Sequence, residues 1–114
     1  MSLAEKKVHH RKAEEKLSET EIEAFRAEVP TWGLFTEEGT QHMRREFEFD
    51  NFAQALEFTN LVAELAETHN HHPQLTTEWG AVTVDWWTHT VSGLSENDFI
   101  MAAKTDLLFT KRAP

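Results

Sequence analysis

The sequence predicts an α+β fold in which helices pack on one face of a four-stranded antiparallel sheet, in the order helix-β-β-helix-β-β-helix. Two observations support this fold class. Apolar and polar side chains alternate along 41–49 and 81–89, as they do in strands, and a shorter extended segment and a turn precede each of them. Apolar side chains at helical spacing follow residues 18, 51 and 96. Two hairpins that alternate with helices form a two-layer sandwich.

The first helix is predicted to begin at Ser18, where the folded domain also begins. Ser18 and Glu21 have the spacing of a capping box, and Pro30 stops the helix. Residues 1–17 mix charged side chains densely with few large apolar ones, which predicts a solvated tail or a frayed helix. We therefore expect a charged N-terminal tail over 1–17 and a single domain over 18–114.

The first hairpin is predicted over 32–49. Residues 32–36 and 41–49 are its strands, and the turn between them is glycine-containing. Because successive side chains of a strand point to opposite faces, Met43 and His42 lie on different sides of the sheet. We expect the face that carries His42 to be exposed.

The second helix is predicted over 51–68, and Asp50 can cap it. It has two apolar stripes, which is typical of a helix more buried than an amphipathic surface helix. We expect it to pack on the sheet with one face and on a neighbouring element or subunit with the other. The first stripe consists of Phe52, Ala55, Leu56, Thr59, Val62, Ala63 and Ala66, and the second of Phe58, Leu61 and Leu65.

The second hairpin follows Pro73, which disfavours helical geometry in the residue before it and so ends the helix. Residues 74–78 and 81–89 are its strands, with a Trp-Gly turn between them. A last helix is predicted over 96–110. Its expected buried stripe consists of Phe99, Ile100, Ala103 and Leu107.

Composition excludes several classes of function. With 20 acidic and 11 basic side chains the formal net charge is -9, which argues against binding to nucleic acid or to an anionic membrane surface. No segment reaches the ~20 apolar residues of a membrane-spanning helix, and no secretory signal is recognisable, so we expect a cytoplasmic location. Cysteine is absent, which excludes thiol chemistry, disulfides and cysteine-based zinc sites.

Histidine is the unusual residue type, with 7 in the chain. His71 and His72 lie between a helix and a strand, and His89 ends the next strand. If the hairpin turns at Trp79-Gly80, its far ends meet, so we expect His89 beside the His71-His72 pair. Imidazole has a pKa of about 6.5, so such a group suits a reaction that takes one proton and gives another, such as elimination of water.

These residues also have simpler interpretations. Three imidazoles, together with the acidic residues Glu67 and Asp85, could hold zinc or another divalent metal ion, although no H-E-x-x-H pattern supports a metal site. Asp98 has capping-box spacing from Ser95 and could serve only to begin the last helix. A flat heterocyclic ligand could stack on a tryptophan of the second hairpin, which contains Trp79, Trp86 and Trp87.

Four short segments at fixed mutual spacing resemble the signature of the pterin-4a-carbinolamine dehydratase family. The resemblance covers about residues 18–110 and agrees with the element order predicted above. Any one segment is weak evidence, and the four together are strong. The segments are Glu67 with His71-His72-Pro73, Trp79, Thr88-His89, and Gly93-Leu94-Ser95-Glu96-Asn97-Asp98 with Ala102.

The resemblance implies dehydration of 4a-hydroxytetrahydropterin to quinonoid dihydropterin, which recycles the spent cofactor of aromatic amino acid hydroxylases. It implies that neither a metal nor an organic cofactor takes part. It assigns catalysis to His71, His72 and His89; we expect His72 or His89 to be the acid and His71 the base or a positioning group. It also implies substrate contacts for His71, His72, Pro73, Thr88, His89, Thr90 and Val91, and supporting roles for Glu67, Trp87 and Asp98.

Two departures from the family pattern leave the identity of the pterin open. Trp86 and Trp87 stand where smaller residues are expected, and His69 is an additional imidazole. Because animal members of the family also serve as dimerisation partners of a transcription factor, a protein-interaction module is a second candidate function. A small metal-binding protein is a third. The family and the open sheet edges predict a homodimer or homotetramer, with a pterin substrate and an aromatic amino acid hydroxylase as partners.

Overall fold

The computed structural model describes residues 2–8 and 15–111, and an antiparallel sheet of four strands lies at its centre. The strands are β1 Gly33–Glu37, β2 Thr40–Glu48, β3 Gln74–Glu78 and β4 Ala81–Trp86. Their spatial order is β1-β2-β4-β3, so the two hairpins lie side by side and β2 pairs with β4. Both predicted hairpins are confirmed, for example by the pairing of Phe35 with His42 and of Leu75 with Val84.

The α-helices of the described residues are α1 Glu19–Arg26, α2 Phe52–His69 and α3 Glu96–Lys111. They alternate with the hairpins as predicted, which confirms the α+β fold. α2 and α3 pack against each other, and both contact β4. None of the helices described in the structure is long and apolar enough to cross a membrane.

Aromatic side chains fill the core between the sheet and the helices. The ring of Phe47 on β2 lies 4.8 Å from that of Phe58 on α2 and 5.1 Å from that of Phe109 on α3, between centroids. Trp32 is fully buried and donates from Nε1 to Asp106 Oδ1 at 2.9 Å. Because full burial of a phenylalanine contributes about 1.5–3 kcal/mol, this aromatic layer is a main connection between the sheet and the helices.

The first two helices begin at side-chain caps. Ser18 and Glu21 exchange the hydrogen bonds of a capping box, which confirms that prediction, and these bonds lower the pKa of Glu21. The predicted cap of α2 is wrong by one residue. Asn51, rather than Asp50, accepts from the Gln54 N–H at 2.8 Å, because Asn51 is the extended residue directly before the helix.

Each of the two apolar stripes predicted for α2 enters the core only in part. Phe52 and Leu56 keep 46% and 45% of their surface exposed, although the first stripe includes them. Phe58 of the second stripe is buried instead. The sheet lies under one side of α2 only, so the buried face is narrower than the sequence predicted. It consists of Ala55, Phe58, Val62 and Ala66.

The strand predicted over 81–89 ends three residues early, at Trp86. Thr88 leaves the ladder and forms an isolated antiparallel bridge to Gly93, with its N–H donating to the Gly93 carbonyl at 2.8 Å. The chain between them makes a 3-10 turn at His89–Val91. His89 therefore lies in a turn and not at a strand end, as the sequence had predicted.

The beginning of the chain packs on α3. Leu3 lies in a short 3-10 turn and is only 3% exposed, and the Lys104 side chain donates to the Ala4 carbonyl at 2.7 Å. Residues 2–8 thus differ from the solvated tail expected over 1–17; residues 9–14, which include His9 and His10, lie outside the described part. The buried face of α3 is broader than predicted, and Leu107, expected in it, is 42% exposed.

His42 is buried, contrary to the exposure expected for its face of the sheet. Only 4% of its surface is exposed. The ring of Phe35 lies 4.9 Å from the imidazole and that of Trp87 lies 4.0 Å from it, between centroids. Phe35 on β1 and Trp87, which directly follows β4, therefore cover His42 on the face of the sheet opposite to the one that carries Phe47.

Candidate active site

The connection between α2 and β3 brings His71 and His72 to the edge of the sheet. Asn70 has left-handed geometry, with φ 50° and ψ 43°, and ends the helix. The His71 N–H then donates to the Ala66 carbonyl at 3.2 Å, and Pro73 leads directly into β3. This corner holds both imidazoles beside the chain that leaves β4.

His71 is held by a buried carboxylate. Its Nε2 lies 2.7 Å from Asp98 Oδ1, and the two side chains are 8% and 0% exposed. The other carboxylate oxygen of Asp98 accepts from the Thr88 hydroxyl at 2.7 Å and from the Ser95 N–H at 2.9 Å. Asp98 therefore caps α3, as its spacing from Ser95 predicts, and also contacts a candidate catalytic ring.

These bonds determine where the protons lie. A carboxylate can only accept, so in the His71–Asp98 contact the Nε2 of His71 carries a proton. The neutral His71 ring then presents an unprotonated Nδ1. Because the Thr88 hydroxyl donates to Asp98, the Ser95 hydroxyl donates to Thr88 across their 2.7 Å contact. The buried network fixes both the orientation and the tautomer of His71.

His72 is held differently, at the surface. Its Nε2 lies 2.5 Å from Oε2 of Glu67, which is in the last turn of α2. The two side chains are 53% and 76% exposed, so solvent screens this pair much more than the His71–Asp98 pair. Glu67 therefore restrains the His72 ring without burying it.

A cleft of about 250 Å³ brings the three histidines of the predicted acid-base set together. His89 is exposed, and the centroid of its ring lies 4.7 Å from that of Trp87. This juxtaposition is the one that the hairpin geometry predicted, although His89 lies in a turn. The lining consists of Asn70, His71, His72, Trp87, Thr88, His89 and Thr90.

The remaining predicted residues lie around the cleft. Glu67 and Asp98 reach it through His72 and His71, and Pro73 and Val91 are half-buried beside it. Asn70 lines the cleft and was not predicted, because a helix C-cap has a structural explanation of its own.

The alternative metal site is not formed by the proposed ligands. Asp85 lies on the open face of the sheet and contacts His42 and Arg44, so it does not join Glu67 at the cleft. Within residues 2–8 and 15–111, no three histidine, aspartate or glutamate side chains converge as metal ligands would.

The family assignment follows from comparison with known proteins. The model of the family described as pterin 4 alpha carbinolamine dehydratase matches residues 15–108. The chain belongs to this family. The match includes the whole cleft and leaves out residues 2–8, the N-terminal segment that packs on α3.

Individual relatives agree with this assignment. A protein of Chlorobium limicola, provisionally named pterin-4-alpha-carbinolamine dehydratase, is 58% identical over 89 residues, which cover 78% of this chain and 79% of that protein. A protein of Syntrophotalea carbinolica with the same provisional name is 57% identical over 77% of this chain and 79% of its own length. Among solved structures, the transcriptional coactivator/pterin dehydratase of Brucella melitensis superposes with a TM-score of 0.74 at 29% identity, covering 82% of this chain and 98% of that one.

Proposed function

We propose that this protein is a hydro-lyase that dehydrates 4a-hydroxytetrahydropterin to quinonoid dihydropterin and water. The observation that carries the proposal is the convergence of His71, His72 and His89 on one cleft, with two of the rings restrained by carboxylates. Membership of the dehydratase family and the provisional names of close relatives support the same reaction.

The reaction needs two proton transfers and no redox step. The bond between C4a and the hydroxyl oxygen breaks, and that oxygen takes a proton and leaves as water. The N5–H proton departs, and its electron pair forms the new C4a=N5 double bond. One general acid and one general base suffice, each contributing about 10²–10⁴-fold to the rate.

The geometry favours separate roles for the histidines. Asp98 fixes a proton of His71 on Nε2, which leaves Nδ1 of the neutral ring unprotonated, so neutral His71 suits the base or a positioning group. His72 and His89 are exposed to solvent and can exchange protons with it, which suits the acid that protonates the hydroxyl. The third imidazole orients the ring system or stabilises charge.

The walls of the cleft suit a flat, neutral ligand. The Trp87 indole offers an apolar surface against which a pterin ring can stack, and Thr88 and Thr90 line the cleft beside it. We place the substrate against His71-His72-Pro73 on one side and the turn at 88–91 on the other. The net charge of -9 has little effect on a neutral substrate.

A stopped-flow assay of carbinolamine dehydration with single variants tests the proposal. We expect His71→Gln and His89→Gln each to lose most of the rate. The matched control is His69→Gln, which changes an imidazole at the end of α2 that does not line the cleft. Rates like that of the unaltered protein in both cleft variants would refute the proposed mechanism.

Recycling of a hydroxylase cofactor in the cytoplasm is the physiological role that this reaction suggests. A protein-interaction module remains a second candidate, because Phe52 and Leu56 on α2 are nearly half exposed and could contact another subunit or protein. Light scattering on the protein and on a Phe52→Ser/Leu56→Ser variant tests the expected homodimer or homotetramer. Loss of association with dehydration intact would separate the two functions.

A further inference from the structure

A row of aromatic side chains in ring-to-ring contact crosses the open face of the sheet and ends at the cleft. Its rings are Phe35, His42, Trp87 and His89, with successive centroid distances of 4.9, 4.0 and 4.7 Å. Only the last two line the cleft. Direct contacts therefore connect the buried His42 to a candidate catalytic ring.

A hydrogen bond to a buried carboxylate holds His42 in this row. Its Nδ1 donates to Asp85 Oδ1 at 3.1 Å, and the Arg44 guanidinium donates to the other oxygen at 3.3 Å. Asp85 is only 2% exposed, and burial raises the pKa of its carboxyl against the opposing effects of His42 and Arg44. Burying such a pair is costly, and apolar side chains of similar size would fill the same space at least as well. His42 and Asp85 belong neither to the hydrophobic core cluster nor to the lining of the cleft.

Trp87 is the side chain of the row whose position depends most on its neighbours. It follows the last residue of β4, so it lies beyond the strand ladder, and its side chain is only half-buried. The His42 ring stacks on the indole at 4.0 Å with an angle of 18° between their planes. On the side of the cleft, Trp87 contacts His89, which lies in an exposed turn.

We propose that His42, held by Asp85, is a positioning residue of the active site that sets the Trp87 wall and, through it, the orientation of His89. His42 does not touch the cleft, so it acts only through Trp87. The expected effect on the dehydration rate rests on the proposed function. The expected effect on the orientation of Trp87 and His89 does not.

Two variants separate the parts of this contact. His42→Asn keeps an N–H donor for Asp85 but removes the stacked ring, and Asp85→Asn keeps the ring but removes the charge that fixes it. Glu46→Gln is the matched control, because it exchanges a carboxylate for an amide on the same face of β2, two residues from Arg44 and opposite Thr83. His42→Ala removes both interactions.

The first measurement is the NMR spectrum of the His89 ring protons, assigned by their loss in His89→Gln. The ring current of Trp87 shifts these protons, so we expect them to move in His42→Asn and His42→Ala, to move less in Asp85→Asn, and to stay unchanged in Glu46→Gln. The second measurement is kcat/KM for dehydration, which we expect to fall about tenfold in His42→Asn, with a higher KM and a lower kcat.

Thermal unfolding shows which variants are folded, and His42→Asn and Asp85→Asn decide the question if His42→Ala does not fold. Unchanged His89 resonances in folded His42→Asn would overturn the proposal, as would unchanged kcat/KM. If the unaltered protein has no dehydratase activity, the proposed function fails, and the NMR comparison still decides whether His42 positions Trp87 and His89.

Discussion

The Nε2 of His71 donates to Asp98 Oδ1 at 2.7 Å, and the carboxylate that accepts this bond is completely buried. Asp98 at the same time accepts from the Ser95 N–H and so caps α3. One carboxylate therefore begins a helix and sets the proton position on a candidate catalytic ring. We therefore expect stability and activity to be coupled at this residue.

Asp98→Asn is expected to reduce both. An amide has one acceptor oxygen in place of two, so at least one of the donors from His71, Thr88 and Ser95 loses its partner. We expect unfolding free energy to fall by about 1–3 kcal/mol and kcat by about 10²-fold, through loss of the His71 tautomer. Urea denaturation, stopped-flow kinetics and the ¹⁵N shifts of His71 measure these effects.

The control for that variant is Glu96→Gln, which removes an acidic charge from the same first turn of α3; that charge pairs with Lys6 at 2.8 Å. It should keep the tautomer and the rate. An Asp98→Asn protein with the normal His71 tautomer and normal kcat would show that the buried carboxylate only caps the helix.

Glu67→Gln is expected to have a small effect by comparison. The Glu67–His72 pair is largely exposed, so solvent already screens it, and an amide can still accept a hydrogen bond from the ring. We expect the rate to change by less than about threefold. A loss as large as that of Asp98→Asn in the same assay would mean that Glu67 takes part directly in proton transfer.

The buried Asp85 makes a pH-dependent contribution to stability. Burial raises the pKa of this carboxyl above its ordinary value of 3.8, so the folded state holds the proton more tightly than the unfolded state does. As the pH rises from below 3.8 through the folded-state pKa, the stability that Asp85 contributes is progressively lost.

The stability of Asp85→Asn lacks this dependence. The unfolding free energy of Asp85→Asn relative to that of the unaltered protein should therefore increase as the pH rises through this window. Urea denaturation of both proteins at a series of pH values on either side of 3.8 measures it. A difference that moves in favour of the unaltered protein would show that His42 and Arg44 dominate over burial.

Leu3→Ala tests whether the N-terminal segment belongs to the folded domain. Leu3 is 3% exposed against α3, so its truncation should lower the unfolding free energy by about 2 kcal/mol, at the low end for buried leucines because a terminal segment can detach. Lys7→Ala, which changes an exposed residue of the same segment, is the control. Equal urea midpoints for the two variants would mean that residues 2–8 add no stability.

Local patterns in the sequence predicted most of the fold. The period-two alternation of β2 and β4 and the Ser18–Glu21 capping box depend on neighbouring residues only, and both are confirmed. The grouping of His71, His72 and His89 was also predictable, because a short hairpin brings its own ends together.

Contacts between distant segments decided the rest. His42 is buried because Phe35 on β1 and Trp87, just after β4, contact it from either side. Leu3 is buried because α3 offers an apolar surface about a hundred residues away in the chain. The exposure of Phe52, Leu56 and Leu107 depends on which side of each helix the sheet occupies. Periodicity in a sequence states which residues share a face, but not what covers that face.

The sequence by itself determined the order of the elements, the family resemblance and the residue types of the candidate site. Only the tertiary structure decided how each imidazole is held: His71 by a buried carboxylate, His72 by an exposed one, and His89 against an indole that rests on His42. The reason is that proton position and ring orientation depend on hydrogen-bond and stacking partners within a few ångströms, and these partners come from different elements of the fold.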